Sequence, residues 1–364
     1  MKLKIPEYVE NLVPYKSGNK LEGGITRQQF KAMTNLASNE NPFGVPKKAK
    51  EAMIKAIDES HIYPDPSGSE LVSALSSHYK IDQNRIITGS GSDSLIQMIF
   101  NAFCTKGEEI LTADVTFIGA FVNANKLGRK LKLVKTKDYG FDLTKILENI
   151  NNNTRIIYLA NPNNPTGTMF SGDEFTSFME KVPEDVLVIL DEAYWLYASH
   201  HKDYPNGLDY EFDNLIVLRT FSKCYGLAGA RIGFAFAHPD IINILYRVKL
   251  PFEPNIIALQ GAVAALGDLE YVKNTIETNK KCLALQESKF DDLGIKYVKG
   301  FGNFTMMLFK GEPEAIKFTK YMLNNNVVLR HLPMFGLPNA VRINTGTLEQ
   351  TKNALNLIEK FINN

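Results

Sequence analysis

The chain of 364 residues carries 41 lysines and arginines against 40 aspartates and glutamates, a formal charge of +1, with 44% hydrophobic and 22% charged residues. At roughly 150 residues per domain this is about two domains, with apolar material for one large core and a smaller one. The balance of charge argues against nucleic-acid binding and against a polybasic membrane surface, each of which shows a basic excess or stripe.

The opening MKLKIPEYVENLVPY breaks its apolar content with Pro6, Glu7 and Glu10, so no signal-peptide core is expected. Residues 1–34, with Pro6, Pro14, Gly18, Gly23 and Gly24, read as an extended arm packing on the small domain. From about Asn84 to Ala237, short β-branched runs alternate with amphipathic stretches, the pattern of parallel strands joined by crossover helices. The predicted strands are RIITGS, EEILTA, KLKLV, TRIIYLANP, VLVILDEAY, NLIVLRTFSK and RIGFAFA. They imply an α/β large domain over 35–250, a mostly parallel seven-stranded sheet between helices, with ligands at the carboxyl ends of the strands.

Pro251 and Pro254 bracket a break, placed as the domain boundary, and a long helical pattern runs from about Ile256 to Leu293. The rest of 251–364 reads as a smaller α+β domain. Its strands lie near Ile295 to Val298, Asn303 to Phe309, Val327 to Leu332 and Ala340 to Asn344, and its helices near Glu314 to Asn324 and from Leu348 onward. Apolar runs such as Val186 to Leu190 are far short of the ~20 residues that span a bilayer. Cys104, Cys224 and Cys282 are scattered without CxxC spacing, which fits a reducing, cytoplasmic compartment.

Four segments at strand ends could carry chemistry. Thr88-Gly89-Ser90-Gly91-Ser92-Asp93 is a glycine-rich turn from strand into helix, a natural phosphate seat. It reads GxGxxS, not the dinucleotide fingerprint, and no GxxxxGK[ST] occurs. Asn161-Pro162-Asn163-Asn164-Pro165-Thr166-Gly167 is either simply a tight turn or a rigid mount for Asn164 to donate to a ligand oxygen. Asp191-Glu192-Ala193-Tyr194 ends the most apolar strand, so Asp191 is either a turn residue or a buried anion aimed at a ligand cation. Ser222-Lys223, followed by Tyr225-Gly226-Leu227-Ala228-Gly229 and Arg231, sets a lysine at a strand mouth where desolvation favours the neutral, nucleophilic amine. The plain alternative is a solvated lysine. Ser222 and Arg231 suit a phosphate dianion. There is no GxSxG or HExxH, and His200-His201 lack the spacing for a metal and read as surface loop.

Together these segments offer a phosphate cup, a Schiff-base lysine, a carboxylate and the phenol of Tyr194. Pyridoxal 5′-phosphate needs that set: a lysine for its aldehyde, an acid for its pyridine nitrogen, donors for its ring oxygen and a cup for its phosphate.

The sequence resembles the fold-type I pyridoxal-phosphate-dependent aminotransferases, and within them the histidinol-phosphate aminotransferase group, over essentially the whole chain. The resemblance rests on LASNENP (36–42), YPDP (63–66), GSGSD, NPNNPTG, DEAY, TFSKCYGLAGARIG and VRINTGT (341–347), in that order. It implies that Lys223 forms the Schiff base and shuttles a proton between the substrate Cα and the cofactor C4′. It implies further that Asp191 pairs with the pyridinium nitrogen, that Tyr194 and Asn164 bond the ring oxygen, and that Phe117 stacks on the ring unless it is an ordinary core residue. Ser92, Asp93, Ser222 and Arg231 would hold the phosphate. Tyr63 would reach the cofactor of the other subunit, which implies a homodimer. Arg342 would bind the substrate's anionic group, and Arg330 and Tyr15, with Asn39 of the same motif set, would complete the substrate site. For the two arginines, surface strand positions are the alternative.

The expectation is a cytoplasmic transaminase of histidine biosynthesis, with small-molecule substrates and neither nucleic-acid nor membrane partner. Its reaction would be L-histidinol phosphate + 2-oxoglutarate = imidazole-acetol phosphate + L-glutamate. An aminotransferase for aromatic amino acids or phosphorylated amines, a phospho-amino-acid decarboxylase and a cofactor-binding regulator remain open. The segments Ser92-Asp93-Ser94, Trp195-Leu196-Tyr197 and Pro251-Phe252-Glu253-Pro254-Asn255 depart from the group's pattern and bear on the substrate, not the cofactor.

Overall fold

A computed structural model describes residues 3–12, 28 and 32–363. In chain order its elements are α1 (Glu7–Glu10), β1 (Thr34–Asn35), α2 (Lys47–Ala56), α3 (Ser69–Tyr79), β2 (Ile86–Gly89), α4 (Ser92–Phe103), β3 (Glu109–Ala113), α5 (Ile118–Lys126), β4 (Lys130–Val134), α6 (Leu143–Glu148) and β5 (Thr154–Ala160). There follow α7 (Gly172–Met179), β6 (Leu187–Asp191), α8 (Trp195–Ala198), β7 (Leu215–Thr220), β8 (Gly233–Phe236), α9 (Pro239–Val248), α10 (Ile256–Leu266) and α11 (Leu269–Asp292). The chain closes with β9 (Lys296–Val298), β10 (Phe304–Leu308), α12 (Glu312–Asn324), β11 (Val327–Val328), β12 (Arg330–Leu332), β13 (Leu337–Asn344) and α13 (Leu348–Ile362).

All seven predicted strands of the first sheet form, in the order β2-β8-β7-β6-β5-β3-β4. Every neighbouring pair is parallel except those of β8, which runs antiparallel to both β2 and β7. Strands β5, β6 and β7 are apolar on both faces because helices cover both. Ile157, Leu159, Val188, Leu190 and Val217 enter one core. The alternate residues Ile156, Tyr158, Ile189, Ile216 and Leu218 enter the other.

The β7–β8 link has no crossover helix, so the chain turns back at the edge where β7 ends. Residues 221–232 therefore stay at that edge, beside the carboxyl ends of β2, β5 and β6. Register lines up the ends: Ala160 with Asp191, Thr220 with Gly233, and Gly89 with Gly233.

The carboxyl-terminal part forms the antiparallel sheet β12-β13-β10-β9. Its core joins Phe318 and Met322 of α12 to Val341 and Ile343 of β13 and Ile358 of α13. Two expectations change here. The long helix over Ile256 to Leu293 is two helices, parted at Gly267 and Asp268, where glycine's low helix propensity ends the first. The strand over Val327 to Leu332 is also two, because it changes partners: β11 pairs parallel with β1 and β12 antiparallel with β13.

Contacts cross the break at Pro251, since Ala258, Leu259 and Ala262 of α10 join Leu71 and Leu75 of α3 in the first core. Of the arm, Tyr8 in α1 lies against Gly128, in the turn between α5 and β4. No helix among the described residues is long and apolar enough to cross a membrane.

One polar pair is wholly enclosed. Arg219 of β7 and Glu192, just past β6, are 1% and 0% exposed. Arg219 Nε and Nη2 donate to Glu192 Oε2 at 2.9 and 2.7 Å, and Nη2 also to Asn206 Oδ1 at 2.6 Å. Gly207 N donates to Glu192 Oε1 at 2.7 Å, and the Trp195 ring lies 3.8 Å from the guanidinium carbon. With both carboxylate oxygens and two guanidinium nitrogens hydrogen-bonded, the pair ties β6 to β7 just behind the strand ends. Removing one partner strands a buried charge. Arg219→Met is expected to lower stability by about 3–5 kcal/mol in denaturant unfolding, and adding Glu192→Leu to recover part of that loss.

Candidate active site

The strand ends enclose a cavity of about 480 Å³, whose wall includes Lys223, Asp191, Tyr194, Asn164, Ser222 and Arg231. Ser92, Asp93 and Phe117 line it as well.

Asp191 forms the floor. It ends β6 facing the same core as Ile189, and Tyr158, one pleat back on β5, reaches it across the register. Tyr158 Oη donates to Asp191 Oδ2 at 2.7 Å, and Ala193 N to Oδ1 at 3.1 Å. Burial pushes the Asp191 carboxyl up to about 6, while the Tyr158 and Ala193 hydrogen bonds and the nearby Lys223 charge pull it down. Burial first, and then Asp191 itself, hold the Tyr158 phenol well above its ordinary range. No arginine or lysine hydrogen-bonds Asp191 among the described residues; its donors there are the Tyr158 hydroxyl and the Ala193 amide.

The amino terminus of α4 forms one side. Its cap, Gly91, has φ +88° and no side chain to answer the first-turn amides, which remain available to an anion. A Cβ on Gly91 would lie 2.7 Å from Arg231 Nη2, and one on Gly233 2.6 Å from Ser92 N. Both glycines are therefore needed for α4 and the guanidinium to close on β8. Ser222 N donates to Thr220 Oγ1 at 3.1 Å, and Thr220 Oγ1 donates to Ser222 Oγ at 3.0 Å. Amides, hydroxyl and guanidinium together make an anion cup.

The opposite side comes from loops. Asn163 ties the NPNNPTG loop to the β3–α5 loop, accepting from Thr116 Oγ1 at 2.8 Å and donating to Val115 O at 2.9 Å. This carries Asn164 and Phe117 into the wall. Arg342 Nη1 donates to Asn164 Oδ1, and its Nη2 to Ala37 O at 2.7 Å. With its carbonyl engaged, Asn164 presents its Nδ2 as donor. Asn39, in the left-handed region at φ +55°, donates from Nδ2 to Tyr194 Oη at 2.6 Å, which leaves the Tyr194 proton for the cavity. Lys223 Nζ lies 5.6 Å from the Tyr194 ring centre.

The other expected residues stand further off. Asn39 and Arg342 are buried behind the wall, and Arg330 pairs in register with Arg342. Tyr63 is 77% exposed and stacks on Phe252, ring centres 4.4 Å apart. Tyr15 lies outside the described residues. Two of the unusual segments face away from the cavity: Trp195 covers Arg219, and Phe252 supports Tyr63. Sequence reasoning missed Tyr158, whose signal is strand parity, and the Arg219–Glu192 pair, which has no local signal.

The sequence model of the family described as aminotransferase class I and II matches residues 31–358. The chain belongs to this family. Among aminotransferases it is similar to histidinol-phosphate aminotransferase 1 of Cupriavidus pinatubonensis, 35% identical over 364 residues, covering 98% of this chain and 96% of the relative. It is 35% identical to the enzyme of the same name from Mannheimia succiniciproducens, covering 98% and 97%. The solved structure of histidinol-phosphate aminotransferase from Sinorhizobium meliloti in complex with pyridoxal-5′-phosphate superposes with a TM-score of 0.90 at 25% identity, covering 99% of this chain and 98% of that one.

The raised carboxyl makes a prediction for this aminotransferase without ligand. With Asp191 at about 6 when folded and 3.8 as the ordinary value, the folded chain binds the extra proton between those values. Stability therefore falls as pH rises through that window, by about 3 kcal/mol. Asp191→Asn lacks this fall, so the stability difference between variant and wild type is expected to shift by most of that amount in the variant's favour between pH 4 and pH 7.5. A difference independent of pH would refute a buried, ionising Asp191.

Proposed function

We propose that the protein is a pyridoxal-phosphate-dependent aminotransferase acting on L-histidinol phosphate and 2-oxoglutarate, in histidine biosynthesis. The observation that carries the reading is one cavity holding a lysine, a buried carboxylate without a cationic partner, two ring-oxygen donors and an anion cup. The near-full-length likeness to proteins bearing the histidinol-phosphate name supports the choice of substrate.

The residues fit the cofactor. Asp191 would hold a proton on the pyridine nitrogen, Tyr194 and Asn164 would donate to the ring oxygen, Phe117 would cover the ring, and Ser92, Asp93, Ser222 and Arg231 would hold the phosphate. When bound, pyridoxal phosphate supplies an aldehyde that takes the amino group and a cationic ring that draws electrons from the substrate's α-carbon. Lys223 would hold the aldehyde at rest and then, released by substrate, move the proton between Cα and C4′. Tyr158 keeps Asp191 ionised and oriented. Arg342, through Asn164, orients a donor and, with Arg330 and Tyr15, would take the substrate anion.

In this reading residues 35–250 hold the cofactor, 251–364 bring the two arginines and 1–34 is the arm. A homodimer is part of the proposal. Tyr63 and its stacking partner Phe252 are both exposed, as is the adjacent Ile62, apolar surface suited to a second copy that would receive Tyr63 at its own cofactor. The three free, buried cysteines are in keeping with a reducing cytoplasm.

Offered histidinol phosphate, phenylalanine, phosphoserine and phosphothreonine in turn, the holoenzyme is expected to show its fastest cofactor absorbance change with histidinol phosphate. Faster conversion of phenylalanine would favour an aromatic aminotransferase, and carbon dioxide release a decarboxylase. Borohydride is expected to fix the cofactor on the peptide carrying Lys223 and to leave that peptide unlabelled in Lys223→Ala. Arg342→Ala is expected to cut kcat/KM for histidinol phosphate roughly 10- to 100-fold, the scale of a lost charge-assisted hydrogen bond.

A further inference from the structure

We infer that Glu40 is a specificity residue: its carboxylate stands at the cavity rim to accept the ring N–H of an imidazole-bearing substrate, and it discriminates against a phenyl ring. This deepens the histidinol-phosphate reading and rests on it.

The cavity that holds Lys223 has three acidic side chains in its wall, Asp93, Asp191 and Glu40. Two belong to the proposed cofactor site: Asp191 accepts from Tyr158 and Ala193, and Asp93, in the first turn of α4, accepts from Asn123 Nδ2 at 3.2 Å. Glu40 accepts from Asn35 Nδ2 through Oε2 at 3.0 Å, and its Oε1 has no hydrogen-bond partner among the described residues.

That carboxylate is held in place. Asn35 braces the loop from both ends of its amide, its Oδ1 accepting from Ala37 N at 3.1 Å while its Nδ2 holds Glu40. Ala37 O in turn accepts from Arg342 Nη2 at 2.7 Å, and the left-handed turn at Asn39 directs that residue to Tyr194. One short loop thus presents an acceptor to the cavity and is anchored on the arginine assigned to the substrate's anion. A substrate with a phosphate at one end and a ring N–H at the other matches this pair of charges. Glu40 is exposed, so solvent answers Oε1 in the free protein; a phenyl ring laid over it would displace that water and supply no donor, and a site built around a polar group rejects the analogue that lacks it.

The test compares histidinol phosphate with phenylalaninol phosphate, which differ only in the ring, on the wild-type holoenzyme and on Glu40→Gln. The amide keeps the length and an oxygen for Asn35 but removes the charge. The ratio of kcat/KM values is expected to fall roughly ten-fold, the low end for a hydrogen bond to a charged group, with the loss concentrated on histidinol phosphate. Calorimetry on cofactor-loaded Lys223→Ala, with and without Glu40→Gln, is expected to show the same selective weakening without turnover. An unchanged ratio, or equal losses on both ligands, would overturn the inference. If the wild type converts neither phosphate, the histidinol-phosphate reading fails instead. Glu40 is then judged on histidine against phenylalanine, where a ratio unmoved by the variant overturns it.

Discussion

Asp191 sits where β6 runs out of apolar sequence, and a carboxylate held there is costly unless dipoles and a cation face it. The surrounding structure is arranged around that cost. Tyr158 and the amide of Ala193 supply the dipoles. The neighbouring Glu192 is removed from competition by its own arginine, behind the sheet edge. What is left for Asp191 is one direction, toward the cavity, where the proposed reading puts a cationic ring atom. The free protein thus carries a local instability at Asp191 that, in the proposed reading, the cofactor would relieve, as expected where activity and stability are set against each other.

The antiparallel strand of the large sheet, β8, does comparable work for the anion cup. One more parallel β-α-β step would have taken the chain after β7 away through a crossover helix. The immediate return through β8 keeps Ser222, Lys223 and Arg231 within one turn-back, and Gly91 and Gly233 let α4 settle against it. The charge balance of the whole chain says nothing of this, because three or four cations placed locally suffice for an anionic ligand.

Much of this was legible in the sequence. Lys223, Asp191 and Asn164 each interrupt an apolar run at its end, and a strand end in an α/β sheet is where chemistry collects. All seven large-sheet strands could be read for the same reason. Tyr158 could not, because a tyrosine in TRIIYLA looks like any other buried aromatic until register places it beside Asp191. Arg219 and Glu192 find each other only across strands. The division of residues 327–332 between two sheets depends on β1, a partner almost a full chain length away. The break at Gly267 was a weak local signal overruled by strong helical pattern on both sides.

That distant pairing of β1 with β11 has a kinetic meaning. Closing a loop of nearly the whole chain is entropically slow, so this contact belongs among the last to form. The segment it fixes, 34 to 41, is the one through which Asn39 meets Tyr194 and Ala37 meets Arg342. A chain still emerging from the ribosome can assemble the seven-stranded sheet and its anion cup, yet Asn164 and Tyr194 are oriented by Arg342 and Asn39, so the opposite wall of the cavity waits for the final strands.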